Sequence, residues 1–201
     1  MSFPRRPSRK SARGGAAEKP SVAGLSAAAL RAYLRNRALR ALAMRECSVA
    51  KLREKLIEEA AKQTADSLAG TSLEQSEQRD IIETVMAALE EDGTVSDARF
   101  SESRARSLSG RGKGQFVIAQ KLSEAGVPKD IKRAQMQALD LDVDWGANAL
   151  ALLVRKFAKE LTLDAAKRAK AQRFLASRGF NSIAIRFAIQ QFGQSQVCNS
   201  N

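Results

Sequence analysis

Histidine is absent from all 201 residues, which removes Ser-His-Asp and Cys-His nucleophile systems together with histidine general bases. Only two cysteines are present, Cys47 and Cys198, and two thiols without imidazoles cannot fill a structural zinc shell. They stand far apart, Cys198 in a polar tail, so free thiols are expected rather than a disulfide framework. Aromatic residues make up 5% of the chain, with one Trp and one Tyr. That is too few for a base-stacking platform and disfavours sequence-specific reading of single strands. No run approaches the ~18 apolar residues of a membrane span, and the N-terminus lacks the apolar core of a secretory signal. The expected protein is a cytoplasmic non-enzyme without cofactor, metal or membrane partner.

What is present is helix-forming material. Ala, Leu, Arg, Lys, Glu and Gln dominate, the residues that lose least on entering a helix, and 44% hydrophobic content supplies a core. An all-α fold follows. The 34 Lys and Arg outnumber the 22 Asp and Glu, giving +12, a balance that suits a polyanionic neighbour.

Residues 1–25 read as a flexible basic arm: Pro4, Pro7, Pro20 and Gly14-Gly15 interrupt any period, and Arg5, Arg6, Arg9, Lys10, Arg13 and Lys19 face only Glu18. From Ser26 a helical period sets in, broken often enough to define about nine helices. Lys121-Leu122-Ser123-Glu124-Ala125-Gly126-Val127 aligns with Phe174-Leu175-Ala176-Ser177-Arg178-Gly179-Phe180. In both a Leu is followed four residues later by Gly, then by an apolar residue. Gly126 and Gly179 are the expected left-handed helix terminators, and Pro128 fits a first helical position. Ser48 is a plausible cap for an earlier copy, and Ser96-Asp97 a helix start with an acidic first turn. The expected organisation is three tandem three-helix repeats, over 26–95, 96–141 and 142–193, with a polar tail at 194–201; units this small gain stability by packing on their neighbours in an elongated row, the alternative being a compact nine-helix globule. Residues 60–79 of the first repeat, rich in Gln, Ser, Thr and Asp, read as an inserted loop with acidic surroundings.

Two motifs resemble chemistry and fall short of it. Asp140, Asp142 and Asp144 alternate as in a calcium loop, but Trp145 stands where Gly is needed and Ala151 where a bidentate Glu is needed; the acids are better read as helix caps. Gly110-Arg111-Gly112-Lys113-Gly114 lacks the Walker spacing and the following Ser or Thr. Either it is an inter-helix turn, or its amides and two cations hold a phosphate. Basic residues recur on helix exteriors. Those expected to contact a polyanion are Arg40, Lys51, Arg99, Arg104, Arg106, Arg111, Lys113, Arg173, Arg178 and Arg186. Same-face pairs such as Arg37 with Arg40 repel each other unless an anion intervenes.

The stretch Ala38-Leu39-Arg40-Ala41-Leu42-Ala43-Met44-Arg45-Glu46-Cys47-Ser48-Val49-Ala50-Lys51-Leu52, then Leu89-Glu90-Glu91-Asp92-Gly93 and Ser96-Asp97-Ala98-Arg99-Phe100, resembles the RecX family of regulatory proteins. Arg111-Gly112-Lys113-Gly114 with Ile118 and Leu122, and Arg173 to Phe180, are similar to its later repeats. The likeness runs from about Leu30 to Phe192. It implies a monomeric, elongated, curved array of three-helix repeats that lies in the groove of the RecA filament, contacts protomers and single-stranded DNA, and lowers ATP hydrolysis, strand exchange and co-protease action in DNA repair and recombination. It implies no enzymatic activity. Three features depart from the family pattern: Cys47 where His is usual, Val117 where a basic residue is common, and the 60–79 insertion. The alternative is a helical module that binds DNA without RecA, with the 114–122 helix entering a groove.

Overall fold

The computed structural model describes residues 26–66, 73–157 and 164–198. Among these the elements are all α-helices: α1 Ala27–Met44, α2 Val49–Asp66, α3 Gln75–Glu91, α4 Asp97–Gly110, α5 Gln115–Glu124, α6 Lys129–Asp142, α7 Trp145–Phe157, α8 Ala165–Ser177 and α9 Ser182–Cys198. The arm at 1–25 lies outside the described residues.

Local chemistry sets most of the boundaries. Ser26, Ser96 and Asp164 cap α1, α4 and α8 by accepting the amides of Ala29, Arg99 and Lys167, and Asp144 does the same for Ala147 at the start of α7. Four helices end at a glycine with positive φ: Gly93, Gly112, Gly126 and Gly179. At three of them the hydrogen bonds repeat. Gly112, Gly126 and Gly179 donate to Ser109, Ser123 and Ala176, while Lys113, Val127 and Phe180 reach back to Leu108, Leu122 and Leu175. This is the Schellman turn, which satisfies two orphan carbonyls and needs a left-handed residue. The alignment of 121–127 with 174–180 is thus a structural equivalence.

The structure corrects three sequence expectations. The loop read over 60–79 is shorter, because α2 continues to Asp66 and α3 begins at Gln75. Ala60-Ala61-Lys62-Gln63 are good helix formers, and a capping box between Glu74 and Glu77 starts α3. α9 runs through most of the polar tail to Cys198. Pro128 is the residue before α6 rather than its first helical residue.

In the first repeat α1 packs on α2 and α3 around Leu30, Leu34, Leu52, Leu56, Met86 and Leu89, all nearly inaccessible. A second core runs without interruption through the other two repeats, from Ala105, Ile118 and Leu122 to Trp145, Leu153, Leu175 and Phe192. In the second repeat α4 packs on α5 and α6, and in the third α7 packs mainly on α9. Burial of such side chains contributes about 1.5–3 kcal/mol each against chain entropy.

Candidate functional site

Two equivalent junctions join the repeats, and each seats the glycine turn of one repeat on the start of the second helix of the repeat before it. At the first, the Ser48 hydroxyl donates to the Ala125 carbonyl, and a Cβ on Gly126 would lie 2.5 Å from that of Ala50. The Val49 amide, an orphan at the start of α2, donates to the buried Asp97 carboxylate at 2.9 Å. At the second, the amides of Gly114 and Phe116 donate to the carbonyls of Arg178 and Gly179 at 2.8 and 3.0 Å. A Cβ on Gly114 would stand 2.4 Å from the Gly179 carbonyl, and one on Gly179 would stand 2.6 Å from the Val117 amide nitrogen. Val117, where the RecX pattern tends to have a basic residue, is thus packed against this turn.

The second junction settles what Gly110–Gly114 does. The amides of Arg111, Gly112 and Lys113 close the end of α4, and that of Gly114 is bound to Arg178. No row of amides is left for a phosphate, so the segment is an inter-helix turn and docking surface rather than a cradle. Its side chains remain available. Backbone pairing of Gly114 with Arg178 sets the turn that carries Arg111 and Lys113 in the second repeat against the turn that carries Arg178 in the third. None of the three has a carboxylate partner among the described residues. The Arg178 guanidinium lies 5.3 Å from the Phe174 ring centre, and Lys156 stands 3.7 Å above the same ring, a placement that steadies both cations against an electron-rich face. Lys156 escaped the sequence reading; its only signal is a basic last turn in α7.

The other expected contact residues divide into two groups. Arg40, Arg104, Arg173 and Arg186 carry no ion pair among the described residues, but Arg40 lies on α1, in a different repeat from the junction cluster. Lys51 and Arg106 are paired within their own helices, with Glu54 and Glu102, each at 2.7 Å. Arg99 is fully engaged: Nε donates to Glu46 at 2.7 Å, and Nη1 and Nη2 to the carbonyls of Gly93 and Thr94, both at 3.0 Å. It clasps the α3–α4 turn to the segment before α2, and this structural role competes with contact to an external anion.

Elsewhere in the first repeat, the Arg37 guanidinium and the Tyr33 hydroxyl hold the Glu59 carboxyl below the usual carboxylate range. Cys47 is a buried free thiol pushed up by desolvation, which disfavours the reactive thiolate. Among the described residues no group of His, Cys, Asp or Glu could hold a metal ion, and no helix is long and apolar enough to cross a membrane.

Comparison with known proteins places this geometry in a family. Residues 96–134 match the model of the second three-helix domain of RecX, and residues 143–189 that of the third. The regulatory protein RecX of Serratia proteamaculans is 32% identical over 169 residues, covering 80% of this chain and 98% of that one. That of Cronobacter sakazakii is 35% identical over 149 residues, covering 73% and 84%. A crystal structure of RecX from Lactobacillus salivarius superposes with a TM-score of 0.64 at 21% identity, over 82% of this chain and 97% of that one. The tandem three-helix units, the repeated glycine turns and these matches together show that the chain belongs to the RecX family of regulatory proteins.

Proposed function

We propose that this protein binds the RecA recombinase filament on DNA and restrains it, lowering ATP turnover and with it strand exchange and co-protease action. The observation that supports this reading best is that the two turns paired at the seam between repeats that share one core carry Arg111, Lys113 and Arg178, three cations without carboxylate partners among the described residues. A two-repeat body built on one core, with uncompensated cations at its seam, suits a composite surface of protein and phosphate. Spanning neighbouring protomers would oppose the motions of the ATP cycle. The protein acts as a regulator and supplies no catalytic group; its setting is the cytoplasm.

The second reading, a module that enters a DNA groove through α5, fits the geometry less well, because the start of α5 is covered by the 178–180 turn. The test is RecA ATP hydrolysis on single-stranded DNA as this protein is titrated in, alongside DNA binding without RecA. Inhibition at concentrations where free DNA is barely bound is the expected result; tight DNA binding with no effect on hydrolysis would favour the independent module. Replacing Arg111, Lys113 and Arg178 together with Ala should weaken filament binding about ten-fold and reduce its salt dependence, leaving helicity intact. Arg99→Ala is unsuited to this purpose because it breaks an internal clasp.

A further inference from the structure

Two of the three alternating acids at the end of the second repeat have structural duties. Asp144 accepts the Ala147 amide and Asp140 the Trp145 Nε1–H, at 2.9 and 2.8 Å. Asp142 is exposed and has no hydrogen bond or ion pair among the described residues. Beside it stands Leu141, two positions on from the buried Leu139 and so about 200° around α6. It is 89% exposed, and among the described large apolar side chains only Met44, at 88%, is as bare. A solitary exposed leucine is ordinary. This one lies between two carboxylates at a helix end, within a stretch, 134–154, that holds three acids and no Lys or Arg in a chain of net charge +12.

The third repeat offers the opposite setting. A groove of about 700 Å³ lies between α8 and α9. Ala176 and Ile189 give it apolar lining, and Gln172, Arg186 and Gln190 are exposed polar residues along it. After Asp164 the chain carries six Lys and Arg and no acid, so the groove lies in a positive field just as Leu141 lies in a negative one. An apolar side chain on one surface that matches a pocket elsewhere on the same molecule is the arrangement that joins copies of one chain.

We propose that the last turn of α6 in one copy of this protein seats in the α8–α9 groove of a second copy, with Leu141 against Ala176 and Ile189 and the Asp142 carboxylate at the Arg186 guanidinium. At its degree of exposure Leu141 does not fill the groove of its own chain, so the contact runs between copies. A leucine flanked by carboxylates answers both halves of the groove, its apolar lining and its cation, and this chain presents one. Copies of net charge +12 repel as wholes, but that field is screened beyond a Debye length of about 8 Å at physiological salt, whereas a partly buried pair in contact is screened much less. One helix turn offers far less than the about 800 Å² per partner of a stable interface. The protein is therefore a monomer when dilute and associates where copies are crowded together. Neither RecA nor DNA enters the contact, so it stands apart from the filament reading.

The test is sedimentation equilibrium of the full chain, free of nucleic acid, from about 10 to about 500 µM. The weight-average mass of the wild type should climb above that of one chain across this range. Leu141→Ala should weaken association about ten-fold with unchanged circular dichroism, since the side chain makes no packing contribution within its own copy. Asp142→Arg and Arg186→Asp should each weaken it about five-fold, and the double variant, which restores an opposite-charge pair with the signs exchanged, should return to within about two-fold of the wild type. A wild type that keeps the mass of one chain throughout would overturn the proposal and leave the groove to a partner other than this chain. Undiminished association in Leu141→Ala, or no recovery in the double variant, would overturn the seating. RecA hydrolysis stays a separate readout, so failure of either reading leaves the other standing.

Discussion

The two junctions use the same backbone device in different surroundings. Between the second and third repeats the glycine turn sits over a continuous core, so Leu122, Leu153 and Leu175 belong to one buried cluster. Between the first and second repeats the cores are separate. The seam there is polar: Ser48 to Ala125, Asp97 to Val49 and Arg99 to Glu46. A seam of hydrogen bonds contributes about 1 kcal/mol net per bond and is sensitive to each one, whereas a shared core couples its two halves through every buried side chain. The second and third repeats should therefore unfold together, with the first attached as a body of lower cooperativity.

The most damaging single change should be Gly179→Ala. The position has φ of +87° and a Cβ there would strike the Val117 backbone, so urea denaturation should show a loss of about 3 kcal/mol or more, carried by the second and third repeats jointly. Independent unfolding of those repeats in the wild type would break the comparison. Gly126→Ala is its counterpart at the polar seam, with φ of +76° but only the Ala50 methyl in the way. It should cost about 1–2 kcal/mol and loosen the first repeat selectively, seen as faster amide exchange at Val49 with protection of Leu153 unchanged.

Asp97→Ala should come next, at about 1–2 kcal/mol, because it leaves the Val49 amide without its acceptor; Asp97→Asn should recover most of that. Ser101 sharpens the point, since its hydroxyl is buried on α4 without a hydrogen-bond partner, and Ser101→Ala should be neutral or stabilising. The smallest effect concerns pH. Glu59 has its carboxyl depressed in the folded state chiefly by the hydrogen bond from Arg37. Its contribution is thus present above the ordinary carboxylate range and lost as pH falls through the lower folded value. Arg37 is 42% exposed, so the gain is under about 1 kcal/mol. Glu59→Gln should remove that part of the acid dependence of the first repeat and leave the others unaltered.

The helical punctuation was legible because it is local. Ser96, Asp144, Gly126 and Gly179 act within one turn of where they stand, so capping and left-handed chemistry could be read residue by residue. The span of 60–79 was misread because its polar composition resembles a loop, while helix propensity and the Glu74–Glu77 box favoured extension of both helices. The expected contact residues were legible as cations but not as a site. Whether Arg99 faces outward or clasps Gly93 and Thr94 depends on residues brought to it by the fold.

By itself the sequence determined the all-α class, the repeat, the turns and the family likeness, since periodicity and glycine placement act over a few residues. The tertiary structure alone decided that Gly110–Gly114 is a docking turn, that the turns carrying Arg111, Lys113 and Arg178 pair at one junction, and that an open groove lies between α8 and α9. Each depends on a pairing such as Gly114 with Arg178, between residues far apart in the chain, and a one-dimensional pattern does not encode which distant carbonyl will satisfy a given amide.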